Sequence, residues 1–237
     1  MDKRTLIIIP AYNEAEAIGK TILNLSDFDM DILVINDGSS DNTGTVVEGL
    51  QTGQSRLSLV SLPINSGIGA AVQTGLMYAK KHNYDYAVQF DGDGQHSAGS
   101  LPSLLKHAQE HGLDLCIGSR FLDITSFTSS ALRQIGIRFF SWLISALSGL
   151  KVTDPTSGFR VFSKTVVARF AEHYPDDYPE PEALFWCARN KLRIGEYPVA
   201  MHERQGGRSS IHSFKTVYYM LKVPLAIIID RMRQRES

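Results

Sequence analysis

Short apolar runs alternate with amphipathic stretches along the first half of the chain. Five runs are rich in β-branched and other apolar residues, as is typical of buried strands, and helical patterns separate them. The predicted strands cover 5–9, 31–35, 57–62, 86–90 and 113–119, and the predicted helices cover 14–25, 41–51, 67–82 and 100–111. Because the connections are short, this alternation predicts an α/β fold with a mainly parallel sheet and helices on both faces.

The second half has a less regular pattern. A mostly apolar helix is predicted over 131–150, followed by the segment DPTSGFR, helices near 163–173 and 182–190, and a strand over 192–199. A loop rich in glycine, serine and arginine (HERQGGRSSIHS) then leads to a tail that is helical in pattern except at Pro224. We therefore expect one domain over 1–212 and a C-terminal amphipathic helical tail over 213–237.

Composition narrows the classes of protein. The 237 residues are 43% hydrophobic, which is enough apolar material for a core and argues against disorder. The formal net charge is −1, so a general nucleic-acid-binding surface is not expected, and any bound anion must be held by a local cluster of charges. Cys116 and Cys187 form neither a disulfide framework nor a CxxC metal motif, and they fit a reducing cytoplasm.

No segment has the pattern of a membrane-spanning helix. The apolar run Leu6–Ile9 is too short for a signal peptide, and the run Val223–Ile229 is far below the roughly 20 residues that a bilayer requires. The tail, however, mixes aromatic and aliphatic residues with lysines and ends in arginines, and 135–150 offers a second apolar surface. These segments favour a peripheral position at the inner face of the cell membrane, although packing on the sheet or a dimer contact would use the same residues.

Three predicted strands end in polar motifs. PAYNE follows the first strand, NDGSSD the second and DGDGQ the fourth. Ligands of parallel α/β sheets bind at the carboxyl ends of the strands. The three motifs are therefore predicted to meet in one crevice.

The DGDGQ motif has the pattern of a site for a hard cation. Asp91 and Asp93 lie at positions i and i+2 after a buried strand, so both carboxylates share a face of an extended segment. Mg²⁺ or Mn²⁺ would complete its shell with water, substrate phosphates and the side-chain oxygen of Gln95. A simple DGDG turn without a ligand is the alternative. By contrast, Gly67, Gly69 and Gly75 lack a full phosphate-loop pattern, and we interpret them as packing glycines.

Five segments in order carry a family resemblance. IIIPAYNEAEAI, DILVINDGSSDNT, DGDGQH, DPTSGFR and ERQGGRSS together resemble glycosyltransferase family 2, from Thr5 to about Ser210. Within that family the chain looks most similar to the branch of dolichyl-phosphate mannose synthases and polyprenyl-phosphate glycosyltransferases. The resemblance implies a GT-A fold, a UDP- or GDP-sugar donor, and a polyprenyl phosphate or lipid-linked glycan as acceptor, in cell-surface polysaccharide or glycoconjugate synthesis.

The resemblance also implies roles for individual residues. It assigns the nucleoside to Pro10, Ala11, Tyr12, Glu14 and Asp37. Asp91 and Asp93 would bind ribose, diphosphate and the divalent metal, with Gln95 as a further metal ligand. Asn36 stands where many members have aspartate, which leaves the base preference open. Asp154, at the head of DPTSGFR, would be the general base or would orient the acceptor.

Arginines supply candidate cations for the diphosphate charge. The candidates are Arg120, Arg133, Arg160, Arg204 and Arg208. The resemblance implies that Arg204 lies on a flap that closes over the diphosphate, with Arg208 beside the same glycines, and that Arg120 and Arg133 meet an acceptor phosphate.

The leading hypothesis is an inverting, metal-dependent glycosyltransferase that uses Mg²⁺ or Mn²⁺ and works at a membrane surface, with a membrane partner subunit as another means of attachment. Transfer to a soluble saccharide hydroxyl is an alternative. A sugar-nucleotide nucleotidyltransferase would carry a Gly-rich basic loop where PAYNE stands. A non-catalytic membrane-associated subunit would not need the carboxylates, the flap and DPTSGFR.

Overall fold

A computed structural model describes residues 3–122, 131–175 and 179–201, with the backbone alone at 131–133, together with Lys222, Pro224 and Leu225. The flap that carries Arg204 and Arg208 lies outside the described residues. So does the predicted tail over 213–237, apart from those three residues, which are helical.

The described residues form seven strands and seven α-helices. The strands are β1 (Thr5–Ala11), β2 (Asp31–Asp37), β3 (Leu57–Leu62), β4 (Tyr86–Gln89), β5 (Leu115–Ser119), β6 (Arg160–Ser163) and β7 (Ile194–Pro198). The helices are α1 (Ile18–Leu25), α2 (Thr43–Gln51), α3 (Ile68–Lys81), α4 (Leu101–Glu110), α5 (Ala131–Ser148), α6 (Lys164–Phe170) and α7 (Pro179–Arg189). A short 3-10 turn over Ala98–Ser100 leads into α4.

The strands form one sheet in the order β3-β2-β1-β4-β6-β5-β7. The pairs β3–β2, β2–β1, β1–β4 and β5–β7 are parallel, whereas β6 runs antiparallel to both β4 and β5. Apolar side chains from α3, α5, α6 and α7 cover one face, and side chains from α1, α2 and α4 cover the other. The prediction of a mainly parallel sheet with helices on both faces is confirmed.

Two features differ from the sequence expectations. Strand β6 has no counterpart among the predicted strands, because it is only four residues long and begins with an arginine. Helix α1 begins at Ile18 rather than at Glu14. Before α1, the backbone is held by side chains at and just before the start of α2. Thr43 Oγ1 accepts the N–H of Glu14, and Asp41 Oδ2 accepts that of Ala15.

Gly75 explains how α3 lies so close to the sheet. A Cβ built on Gly75 would lie 2.3 Å from Ile8 Cγ2 in β1. The interpretation of Gly75 as a packing glycine is therefore confirmed. The same interpretation is wrong for Gly67, because nothing lies within 4 Å of a Cβ built there. Gly67 instead has a φ of +90°, a conformation that favours glycine.

Helix α5 combines a buried face with an exposed apolar one. Phe140, Leu143 and Ile144 are buried, whereas Ile135 and Trp142 are 62% and 64% exposed. Even so, within the described part of the chain no helix has the length and apolar character needed to cross a bilayer.

Candidate active site

The three polar motifs lie at one edge of the sheet. Strand β1 is paired in parallel with β2 on one side and with β4 on the other, so the three carboxyl ends are neighbours. The turn after β4 touches the end of β1, since a Cβ on Gly92 would lie 3.4 Å from the carbonyl oxygen of Pro10. Thr21 in α1 donates its hydroxyl to the carbonyl of Gly92 (3.3 Å). The motifs thus meet as the sequence predicts.

Hydrogen bonds connect the loops after β1 and β2. Ser39 Oγ accepts the N–H of Asn13 (3.0 Å), and Asn13 Oδ1 accepts the N–H of Ser40 (2.8 Å). Asn36 uses both ends of its amide: Oδ1 accepts the N–H of Ser39 (3.2 Å), and Nδ2 donates to Ser61 Oγ (3.3 Å).

The residues assigned to the nucleoside line this part of the edge. Pro10 and Ala11 are the buried last residues of β1, Tyr12 is exposed, and Glu14 is buried. Asp37 is also buried, and its two carboxylate oxygens accept the N–H groups of Ser66 (2.7 Å) and Gly67 (2.9 Å). Asp37 therefore orders the loop into α3. Contact of these five residues with a nucleoside stays a prediction.

The carboxylate pair lies just after β4, which is the neighbour of β1 in the sheet. Asp91 and Asp93 follow β4, and Asp93 Oδ1 accepts the backbone N–H of Gln95 (3.0 Å). Gly158 of the DPTSGFR segment packs directly on Asp91, because a Cβ there would lie 3.1 Å from each carboxylate oxygen. The Asp91 carboxylate of the DGD turn is thus in contact with the DPTSGFR segment.

This donor set fits a hard divalent cation that the protein holds only in part. Asp91 and Asp93 supply carboxylate oxygens, which Mg²⁺ and Mn²⁺ prefer. Over the described ranges, no group of three or more His, Cys, Asp or Glu side chains is placed to hold a metal ion. A cation at Asp91 and Asp93 would therefore take its other ligands from Gln95, water or the phosphates of a substrate.

Asp154 and Arg120 form a buried ion pair at the end of β5. Asp154 is 0% exposed. Its Oδ2 accepts Arg120 Nε and its Oδ1 accepts Arg120 Nη2, both at 2.6 Å, and the backbone N–H of Arg120 donates to Oδ2 at 3.2 Å. A bidentate contact of this kind fixes both side chains. The residues assigned to the base and to the acceptor phosphate are therefore joined to each other.

Glu196 in β7 supports this pair from the other side. Its two carboxylate oxygens accept the backbone N–H groups of Thr153 (2.8 Å) and Asp154 (2.9 Å). Burial raises the pKa of the Glu196 carboxyl, whereas these hydrogen bonds act in the opposite direction. Glu196 thus fixes the backbone at Asp154.

Arg160 lies inside the protein rather than facing the crevice. It is 0% exposed, and its guanidinium donates to the backbone carbonyls of Pro155 (2.8 Å), Ser157 (2.7 Å) and Glu180 (2.8 Å). Burial raises the pKa of the Glu180 carboxyl, and the nearby Arg160 cation opposes the rise. Among the candidate cations, Arg160 therefore ties the DPTSGFR loop to α7 and is not available to a diphosphate in this structure.

The other arginines are only partly described. Arg133 lies in the first turn of α5, where the backbone alone is described, and Arg204 and Arg208 lie outside the described residues. Their contact with phosphate stays a prediction.

Sequence reasoning missed two supporting residues, Glu180 and Glu196; it did consider His96, as a side chain that either touches phosphate or has a plain loop position. Glu180 and Glu196 lie on α7 and β7, far along the chain from the motifs that they contact. The available signal for Glu196 was its position within a strand, because a carboxylate that a sheet partly buries needs hydrogen-bond partners there.

Comparison with known proteins identifies the family. Residues 6–170 match the family described as Glycosyl transferase family 2. The chain belongs to glycosyltransferase family 2. It is therefore a glycosyltransferase, and the nucleotidyltransferase and non-catalytic alternatives are set aside.

Relatives cover nearly the whole chain. A UDP-N-acetylglucosamine–dolichyl-phosphate N-acetylglucosaminyltransferase of Methanococcus voltae is 30% identical over 97% of this chain and 99% of its own. A polyprenol monophosphomannose synthase of Mycolicibacterium smegmatis is 29% identical over 93% and 86%. An undecaprenyl-phosphate mannosyltransferase of Micrococcus luteus is 29% identical over 88% and 87%. The resemblance to the polyprenyl-phosphate branch of family 2 is confirmed.

Solved structures confirm the GT-A fold. TarS 1–349 of S. aureus in complex with UDP-GlcNAc superposes with a TM-score of 0.63 at 17% identity, over 95% of this chain and 66% of that one. The mannosyltransferase PcManGT of Pyrobaculum calidifontis, in complex with GDP-Man and Mn²⁺, gives 0.64 at 19% identity, over 88% and 59%. The chain thus spans about two thirds or less of these structures.

Proposed function

We propose that this glycosyltransferase moves a sugar from a nucleotide-diphosphate donor to a polyprenyl phosphate, with inversion at the anomeric carbon and with a divalent cation. The observation that carries the proposal is the contact between the DGD carboxylates and the DPTSGFR loop, whose Asp154 is paired with Arg120. Relatives named for dolichyl, polyprenol and undecaprenyl phosphate acceptors support this acceptor class.

The donor is proposed to lie across the ends of β1, β2 and β4. The nucleoside contacts Pro10, Ala11, Tyr12, Glu14 and Asp37, and the diphosphate reaches the loop of Asp91 and Asp93. A divalent cation held at Asp91, Asp93 and Gln95 would offset the negative charge that develops on the departing diphosphate. The DGD loop sets where that charge is received, because its turn is packed against Pro10 and Gly158.

The acceptor is proposed to approach from the side of Asp154 and Arg120. A phosphate oxygen of the acceptor attacks the anomeric carbon, the bond from that carbon to the diphosphate oxygen breaks, and the electron pair leaves with the nucleotide. An ionised phosphate has no proton to lose at the attacking oxygen. A buried Asp154 whose two oxygens are bound by Arg120 therefore suits orientation of the acceptor better than proton removal, which favours a phosphate over a saccharide hydroxyl.

A direct transfer assay tests the acceptor. Purified protein is incubated with Mn²⁺, a radiolabelled UDP- or GDP-sugar, and either a short polyprenyl phosphate or the corresponding polyprenol. We expect label in the organic phase when the acceptor is the polyprenyl phosphate, and none when it is the polyprenol. Transfer to the polyprenol, or to a soluble saccharide with none to the lipid, would contradict the proposal.

Thermal shifts test the donor. A ligand that binds the folded state alone at 100 times its Kd stabilises it by about 2.7 kcal/mol. We expect the melting temperature to rise with UDP- or GDP-sugars plus Mn²⁺, and the Asp93→Ala variant to lose this rise. The same rise in that variant would contradict a role for Asp93.

A further inference from the structure

We propose that His96 is a positioning residue that fixes the Asp91 carboxylate and backbone for binding of the divalent cation and diphosphate. This inference rests on the proposed function of the DGD loop. His96 follows the loop by sequence, yet its ring turns back onto it and contacts both the main chain and the side chain of Asp91.

The two ring nitrogens of His96 have different partners. Nδ1 accepts the backbone N–H of Asp91 at 3.1 Å, and Nε2 lies 3.3 Å from Asp91 Oδ2. The first contact requires a bare Nδ1, so the proton of the neutral ring is on Nε2, where it donates to the carboxylate. One ring therefore fixes Asp91 at two atoms.

Aromatic packing prevents the ring from turning. The His96 side chain is 2% exposed. It stacks on Phe159 at a centroid distance of 4.9 Å and an interplanar angle of 16°, and it meets Phe90 edge-on at 5.1 Å and 84°. Phe90 and Phe159 also contact each other at 5.2 Å. Phe90 precedes the DGD loop and Phe159 belongs to the DPTSGFR segment, so the ring packs between these two parts of the site.

The same loop is joined to the residues that follow β7. His96 pairs with Met201 in an isolated antiparallel bridge, and the N–H of Ser97 donates to the carbonyl of Ala200 (3.3 Å). His96 thus connects the DGD loop, the DPTSGFR segment and Met201.

Substitution of His96 gives a direct test by metal binding. Loss of the partner that orients a metal ligand typically costs about 10–100-fold in metal affinity. His96→Phe keeps the aromatic packing and removes both polar contacts, so we expect it to weaken Mn²⁺ binding in the presence of UDP or GDP by about this factor. His96→Asn, whose amide oxygen can accept the Asp91 N–H, should recover part of the affinity.

Two controls separate this inference from the proposed function. His173→Phe makes the same substitution at an exposed site and should bind Mn²⁺ as wild type does. Equal Mn²⁺ affinity in His96→Phe and His173→Phe, with loss of binding in Asp93→Ala, would overturn the role of His96 alone. Absence of Mn²⁺ binding in the wild type, or its retention in Asp93→Ala, would overturn the metal site itself.

A measurement on the wild type keeps the inference testable if a variant fails to fold. Nitrogen-15 NMR of histidine-labelled protein reports which ring nitrogen carries the proton. We expect the Nε2–H tautomer for His96, as its hydrogen bond from the Asp91 N–H requires. An Nδ1–H tautomer would contradict the hydrogen bond from Asp91 and overturn the proposal.

Discussion

At the scale of the residue, the ion pair of Arg120 and Asp154 changes how both side chains are understood. The family resemblance gives them separate roles, at the acceptor phosphate and at the base. The structure joins them by a bidentate contact with almost no access to solvent. Removing one member of a buried pair leaves the other charge without compensation, whereas replacing both members with apolar groups is often tolerated.

Asp154→Asn should therefore affect both folding and transfer. The amide removes the charge that compensates Arg120, so we expect the free energy of unfolding to fall by about 3–5 kcal/mol in urea titrations. Donor binding should persist where the variant is folded, with transfer lost. Asp27→Asn, an exposed position, serves as the control.

A double variant separates stability from activity. Arg120→Met with Asp154→Leu should recover most of the free energy of unfolding but none of the transfer. An Asp154→Asn protein that is as stable as the wild type would show that the pair contributes little to folding. Equal loss of donor binding and transfer would show that Asp154 acts through structure alone.

Sequence alone reaches the residues that carry motif chemistry and misses those that support them. Asp91 and Asp93 stand out because carboxylates beside glycines follow a strand end, and Asp154 stands out because it heads the DPTSGFR segment of the family resemblance. Their supports do not, because tertiary packing decides whether a carboxylate such as Glu196 or Glu180 is half-buried. Arg160 shows the converse: its place in the GFR pattern makes it a candidate phosphate ligand, yet it donates to three backbone carbonyls.

At the scale of the element, the close packing of α3 on β1 depends on the absence of a side chain at Gly75. Gly75 lets the helix approach Ile8 more closely than any Cβ would permit. The apolar periodicity of α3 predicts a buried face but not the distance at which it packs, so close approach had to be inferred from the glycine. The antiparallel β6 was beyond such reasoning, since its four residues are ordered by β4 and β5 rather than by their own pattern.

Gly75→Ala and Gly49→Ala form a matched pair. Both glycines lie in helices, but a Cβ at Gly75 would clash with Ile8, whereas nothing lies within 4 Å of one at Gly49. We expect Gly75→Ala to lower the free energy of unfolding by about 1–3 kcal/mol, the usual cost of overpacking a core. Gly49→Ala should raise it by about 0.4–1 kcal/mol, because alanine restricts the unfolded chain. Equal effects in urea titrations would contradict close packing at Gly75.

At the scale of the whole molecule, the distribution of apolar surface bears on the lipid acceptor that we propose. A net charge of −1 gives no general attraction to an anionic membrane. Helix α5, in contrast, exposes Ile135 and Trp142 while its other face is buried against α7, and Arg138 is exposed between them. An apolar and aromatic face with a cation suits the headgroup region of a bilayer.

Ile135→Ser with Trp142→Ser should therefore weaken binding to anionic phospholipid vesicles. Burial of one large apolar side chain contributes about 1.5–3 kcal/mol, so loss of two exposed ones should lower the partition coefficient at least about tenfold in a flotation assay. The matched control is Leu23→Ser with Met77→Ser, which removes two exposed apolar side chains from α1 and α3. The four side chains are similarly exposed, so a general loss of surface hydrophobicity would weaken vesicle binding of both double variants alike. If α5 faces the lipid, only the α5 variant should lose vesicle binding. Vesicle binding that is equal in the two double variants would assign membrane contact to another part of the molecule.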